Sequence, residues 1–171
     1  GPGLNELLWA LAESQSSLDL SNTGLVLTAN CVDALVDFLK KTPSGTEVSI
    51  NLKDNPLGAA GSSTEADRLG DAFRSVEHIR TLLGVNSETC GSDVVTTIDE
   101  ATAKLLAAEI SEQRAIGHID RFSLLKPPDG AVGSSWDLGA DGVLHLKRAF
   151  AKATGVKTVC GLKQGHVHLN W

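Results

Sequence analysis

The chain has 171 residues, of which 42% are hydrophobic and 21% are charged, a composition that is ordinary for one folded domain or one short repeat array. The formal net charge of −6 and the lack of a basic stripe argue against phosphate-backbone binding as the main activity, so we expect no nucleic-acid partner. No apolar run approaches the roughly 20 residues of a membrane-spanning helix, so we also expect no membrane partner.

Apolar residues recur at helical spacing in five stretches of the chain, and each predicts a helix with one buried face. The inward residues are Leu4, Leu7, Leu8 and Leu11; Cys31, Leu35, Phe38 and Leu39; Ala66, Leu69, Ala72 and Phe73; Ala101, Leu105, Ala108 and Ile110; and Val143, Leu146 and Phe150. Asn30 is the expected N-cap of the second helix, and Thr97 with Glu100 has capping-box spacing at the start of the fourth.

Each predicted helix leads into a short β-like segment. The centres of these segments are Leu18, Ile50, Leu82, Phe122 and Val159, which occupy equivalent positions in one recurring sequence pattern. Two long loops, 86–97 and 126–137, lie between the end of a strand and the next helix, where insertions tend to carry specificity.

The most informative stretch is INLKDNPLGAAG, from Ile50 to Gly61. Ile50 and Leu52 alternate with polar residues, which is typical of a strand with one buried face. Asn55 can turn inward and bond backbone groups of neighbouring copies where the chain bends, and those groups would otherwise be buried unpaired.

The pattern L-x-L-x-x-N-x-L-G-x-x-G in this stretch resembles the leucine-rich repeat of the ribonuclease-inhibitor-like class. Weaker copies occur at 18–25, where Thr23 takes the asparagine position, and at 138–142, which repeats L-G-x-x-G. The resemblance implies an α/β leucine-rich-repeat solenoid of about five repeats, a horseshoe arc with a parallel concave sheet and convex helices. A doubly wound sheet is the alternative architecture.

The ends of the chain suggest how it relates to its parent protein. Gly1-Pro2 resembles the remnant of a protease site, and the chain contains no methionine. We therefore expect residues 1–3 to be foreign and residues 4–171 to be a leucine-rich-repeat domain taken from a longer protein. Open solenoid ends would allow self-association.

In such a solenoid, the side chains that alternate with core residues point from the concave sheet towards a partner. We expect a partner-binding surface formed by Asp19, Ser21, Asn51, Lys53, Leu83, Val85, Ser123, Leu125, Cys160 and Leu162, with Trp136 as an anchor on the second long loop. A shift of one residue in the third or fifth strand would instead bury Leu83 with Val85, or Cys160 with Leu162.

The sequence contains no motif of nucleophilic catalysis, phosphate cradling or dinucleotide binding. His166 and His168 could share a strand face, but two histidines without a third ligand do not indicate zinc. The three cysteines are widely spaced and odd in number, as expected of a reduced cytoplasmic chain. We therefore expect a protein that is not an enzyme and has no catalytic residue, cofactor or metal.

These observations predict a protein–protein interaction scaffold that binds another protein through its concave sheet and edge loops. One alternative is a GTPase regulator of the activating-protein type, with Arg80 or Arg121 offered to a bound nucleotide. The other is a cytoskeletal module, because the actin-capping tropomodulins have a repeat domain similar to this one.

Overall fold

The computed structural model describes residues 17–61, 63–84, 99–114, 121–122, 139–153, 158–159 and 162–163. The described part contains four helices: α1 (Ala29–Lys41), α2 (Thr64–Ser75), α3 (Glu100–Glu112) and α4 (Gly139–Lys152). Its strands are β1 (Ser17–Asp19), β2 (Val48–Asn51), β3 (Ile79–Thr81), β4 (Arg121–Phe122), β5 (Thr158–Val159) and β6 (Leu162–Lys163). The first predicted helix, at Leu4–Leu11, lies outside the described residues.

The described strands form two separate three-stranded sheets. In the first, β1, β2 and β3 are parallel, with Leu18 opposite Ile50 as predicted and an irregularity where β2 meets β3. In the second, β4 and β5 are parallel with Phe122 opposite Val159, but β6 pairs with β5 in the antiparallel direction.

The predicted mixture of helices and strands is right, but the predicted leucine-rich-repeat solenoid of five repeats is wrong. A solenoid requires one parallel sheet through all five strands. Within the described residues β3 has no pairing with β4, and the chain folds back after β5 into an antiparallel pair. The parallel sheet that does form has only three strands, so it is too small for the predicted arc.

Each described helix packs against the next in chain order, α1 on α2, α2 on α3 and α3 on α4. The central position of α3 explains why every residue from 101 to 110 is buried. The apolar faces predicted for α1 and α2 are confirmed, and their cores include Leu35 and Phe38, and Leu69 and Phe73. On α3 the predicted inward residues are buried, but the prediction of a single buried face is wrong, because residues 101–110 are buried on all sides. On α4, Leu146 and Phe150 are buried as predicted, while Val143 is only partly covered.

The helix starts differ from the predicted ones. Thr28 caps α1 by accepting a hydrogen bond from the Cys31 amide at 3.2 Å, so the predicted cap Asn30 is wrong. Asp99 caps α3, not the predicted Thr97, and its Oδ1 accepts from the Thr102 amide at 2.8 Å. Thr, Asn and Asp are all favoured N-cap residues, so residue type alone did not separate the candidates.

Two polar side chains of the α3 region, the buried Glu109 and the partly buried Arg114, bond to the backbone of other elements. Glu109 accepts hydrogen bonds from the amides of Leu82 at 2.7 Å and Leu83 at 3.2 Å, just after β3. Arg114 donates to the carbonyls of Phe73 at 2.7 Å and Val76 at 2.9 Å, at the end of α2. The bonds to Glu109 satisfy two buried amides, and those of Arg114 add a second donor to carbonyls that also accept from backbone amides.

The Asn55 side chain joins the bends that follow β1 and β2. Its Oδ1 accepts from the amides of Thr23 at 2.9 Å and Leu25 at 3.0 Å. Its Nδ2 donates to the carbonyls of Leu20 at 2.8 Å and Leu52 at 3.0 Å. The predicted inward role of this asparagine is confirmed, and one amide group holds two neighbouring turns of the chain together.

Within the described part of the chain, no helix combines the length and the apolar character that crossing a membrane requires.

We expect the substitution Asn55→Ala to lower the free energy of unfolding by about 3 kcal/mol or more, because several backbone groups lose their partners together. Urea denaturation of both proteins measures the difference. The control is Asn30→Ala, an exposed residue of α1 whose replacement should stay within about 0.5 kcal/mol. Equal stabilities of the two variants would contradict a structural role for the Asn55 amide.

Candidate functional site

Four of the predicted partner-binding residues lie together on one face of the first sheet, and we call Asp19, Ser21, Asn51 and Lys53 the polar face. Asp19 is the register partner of Asn51, since β1 and β2 pair there in parallel. The Asn22 amide donates to the Lys53 carbonyl at 3.0 Å, which continues the alignment beyond the strands.

The alternation of side chains along the strands produces this face. Leu18, Leu20, Ile50 and Leu52 are buried, and the polar residues between and after them are exposed or partly exposed. Because side chains on a strand alternate between its two sides, burying one set fixes the other set outward.

The Asp19 carboxylate is held in place within the polar face. Its Oδ1 accepts from the Ser21 hydroxyl at 2.6 Å and the Ser21 amide at 3.0 Å. These hydrogen bonds hold the pKa of Asp19 below its ordinary value, and the positive charge of Lys53 acts in the same direction. Asn51 is fixed in a similar way, since its Oδ1 accepts from the Lys53 amide at 3.0 Å.

The structure does not place Leu83 on this surface, so its predicted exposure is wrong. Leu83 is 1% exposed and the preceding Leu82 is fully buried. Strand β3 ends at Thr81, so the period-two alternation has already stopped when the chain reaches these two leucines. The alternative that Leu83 is buried is the correct one.

The other predicted contact residues lie outside the described part of the chain, apart from Leu162. Val85, Ser123, Leu125, Trp136 and Cys160 lie outside the described residues, as do His166 and His168. Leu162 belongs to β6, but the direction of its side chain is not described.

A second feature, which we call the basic pocket, lies between the C-terminal halves of α2, α3 and α4. It has a volume of about 290 Å³. Its floor includes the buried Ala107 and Ala149. The polar side chains that line it are Arg74, Ser111, His145, Arg148 and Lys152.

A cluster of charged side chains around the buried Lys104 connects the same three helices next to this pocket. The Lys104 ammonium donates to the Ser63 hydroxyl and the Asp67 carboxylate, both at 2.9 Å. Ser63 in turn donates to Glu100 at 2.8 Å, and His145 Nε2 lies 3.5 Å from Asp67. Because Lys104 is almost fully buried, these partners are what makes its charge tolerable there.

The basic pocket is not predictable from the sequence, because the residues that line it come from three different helices. A partial signal was present: His145, Arg148 and Lys152 have the i, i+3, i+7 spacing that places residues on one helix face. The contribution of Arg74 depends on how α2 packs, which no local pattern reveals.

No family model, curated protein or solved structure matches this chain. The polar face and the basic pocket are therefore the candidate functional features of the chain.

Arg80, one of the two arginines predicted to reach a partner's nucleotide in the GTPase-regulator alternative, lies 3.8 Å from Glu47. Arg80 therefore takes part in an ordinary surface ion pair within the chain. The side chain of Arg121 is not described.

We expect Ser21→Ala to raise the pKa of Asp19 towards its ordinary value, because the shorter of the two hydrogen bonds to the carboxylate is lost. Carbon-13 chemical shifts of the Asp19 carboxyl, followed against pH, measure this change. Since the folded pKa is the lowered one, the interaction stabilises the fold above the ordinary carboxyl pKa and is lost as the pH falls through the folded value. Ser49→Ala is the control, and an unchanged titration in Ser21→Ala would contradict the assignment.

Proposed function

We propose that this protein is a binding module for another protein, with no chemistry of its own, and that the polar face is its contact surface. The observation that supports this most directly is the register of the first sheet, which lines up Asp19 with Asn51 and carries Ser21 and Lys53 beyond them. Polar side chains that point outward in a fixed order are suited to recognising a complementary surface of a partner.

The rigidity of the backbone beneath the polar face favours this role. The opposite side of the strands is packed into the core, and the Asn55 amide fixes the bends that follow them. Surface groups that are already ordered lose little conformational entropy when a partner binds.

The charges of the polar face indicate the chemistry of its partner. Asp19 is kept ionised by Ser21, and Lys53 supplies the opposite charge one strand away. Lys53 lies two residues beyond Asn51, the register partner of Asp19, and diagonal neighbours of this kind are roughly 7–8 Å apart. The two charges therefore lie within the span of a short peptide segment. We infer a partner segment with a basic side chain opposite Asp19 and an acidic side chain opposite Lys53.

The proposal also includes the cellular compartment of the protein. We propose a reducing, cytoplasmic setting. In support, Cys31 is a free cysteine in the core, and burial raises the pKa of its thiol, which disfavours the reactive thiolate. The resemblance of the Ile50–Gly61 stretch to a leucine-rich repeat stays a prediction.

The charge-reversal variant Asp19→Lys/Lys53→Glu tests the contact surface, because it keeps the net charge and inverts the order of charges. We expect it to weaken binding of the protein's partner by at least about tenfold, since like charges then face each other. Proteins captured by the immobilised wild type from a native lysate are identified, and their affinity for purified wild type and variant is then measured.

The matched control is Asp37→Lys/Lys41→Glu, which reverses an exposed ion pair on α1 and also keeps the net charge. The control should retain the partner's affinity within about twofold. Equal binding by the charge-reversal variant, or the absence of any protein bound specifically by the wild type, would contradict the proposed function. Thermal unfolding of both variants shows whether they remain folded.

A further inference from the structure

We propose that the basic pocket binds a phosphate monoester group. This inference is independent of the polar face, which lies on the sheet and not among the C-terminal halves of the helices. It rests on the charge of the lining, on the partners of the surrounding groups and on the size of the pocket.

The charge of the lining is of one sign. Arg74, Arg148 and Lys152 are cationic, and none of the residues that line the pocket is acidic. His145 also lines the pocket, but its Nδ1 lies 2.7 Å from the Asp141 carbonyl and its Nε2 lies 3.5 Å from Asp67, so the anion is assigned to the three cations. This is unusual for a chain with a net charge of −6. A concave surface lined by one sign of charge focuses the field and concentrates anions.

Two acidic side chains of α2 contact residues of the lining: Asp67 contacts His145, and Asp71 contacts Arg74. Asp67 is bound by the buried Lys104 at 2.9 Å and lies 3.5 Å from His145. Asp71 lies 3.2 Å from one guanidinium nitrogen of Arg74, but its side chain is 77% exposed. An exposed pair of this kind contributes little, so it leaves Arg74 available to a stronger anion.

The carbonyls at the end of α2 do not depend on Arg74 as a donor. Arg114 donates to the carbonyls of Phe73, Arg74 and Val76. Because these carbonyls already have a donor, the Arg74 guanidinium can serve a ligand.

Small residues at the helix contacts leave room for the basic pocket. At the start of α4 the helices are tightly packed, because a Cβ on Gly142 would lie only 3.1 Å from the Cβ of Ala103. Further along, Ala107 and Ala149 leave a volume of about 290 Å³. That is at the lower end for ligand pockets and fits a phosphate with a small attached group, rather than a large cofactor.

A phosphate monoester matches these features better than a carboxylate does. It carries a charge of about −1.5 to −2 near neutral pH and three strong acceptor oxygens. Arg74 and Arg148 come from the two helices that pack on α3, and each can present a planar fork of donors to such a group, with Lys152 as a third cation. The same group could come from a free phosphorylated metabolite or from a phosphorylated side chain of a protein.

The test is a titration of the full chain with phenyl phosphate, followed by nitrogen-15 chemical shifts at constant ionic strength. We expect saturable shifts centred on Ala107, His145 and Ala149. The variant Arg148→Gln/Lys152→Gln should weaken binding by at least about tenfold, because two charge-assisted contacts are lost. The control Lys147→Gln/Lys40→Gln removes the same charge from exposed positions outside the pocket and should change affinity by less than about twofold.

A second titration, with a phosphoserine peptide and its unphosphorylated form, separates the two sources of the phosphate. Binding of the phosphopeptide at least about tenfold tighter than phenyl phosphate supports the site and assigns a phosphorylated protein as its ligand. Equal affinities support the site and assign a free phosphate ester. The proposal is overturned if phenyl phosphate gives no saturable shift, or if the pocket variant and the control lose affinity equally.

Discussion

The side-chain amide of Asn55 is the constraint on which the first sheet depends. It accepts hydrogen bonds from two amides of the bend after β1 and donates to the carbonyls of Leu20 and Leu52, so two successive bends share one buried group. Thr23 occupies the equivalent place one unit earlier, and its hydroxyl donates to the Leu20 carbonyl at 2.7 Å. With the bends fixed, the alternation along β1 and β2 is fixed, and so is the outward direction of Asp19 and its neighbours.

The helices are joined by a different kind of interaction. α3 lies between α2 and α4, and its polar side chains bond to the neighbouring elements: Lys104 to Asp67 on α2, and Glu109 to the backbone after β3. Because these groups are buried, a shift of α3 along its neighbours would leave charges and amides without partners. The same packing leaves the basic pocket where Ala107 and Ala149 face each other, so the pocket follows from how the helices are aligned.

The sequence predicted local features well and the long-range pairing poorly. The apolar faces of α1 and α2, the Leu18–Ile50 register and the role of Asn55 follow from periodicity and from the need to pair buried backbone groups. The prediction of a five-repeat solenoid assumed that a recurring sequence pattern implies one continuous sheet. The described strands after β3 instead form a separate sheet that ends in an antiparallel pair. Leu83 was misplaced because strand alternation was extended past Thr81, and Arg74 was missed because its neighbours in the pocket are distant in sequence.

Amide hydrogen exchange at Thr23 and Leu25 tests the role of Asn55 most directly. Both residues lie outside any helix or strand, and their amides are bonded only through the Asn55 oxygen in the contacts described above. We predict that they exchange slowly, with protection comparable to that of the buried Leu52 amide, which donates to the Leu82 carbonyl just beyond the ends of β2 and β3. Exchange at the rate of an unstructured peptide at both positions, while Leu52 stays protected, would contradict the account.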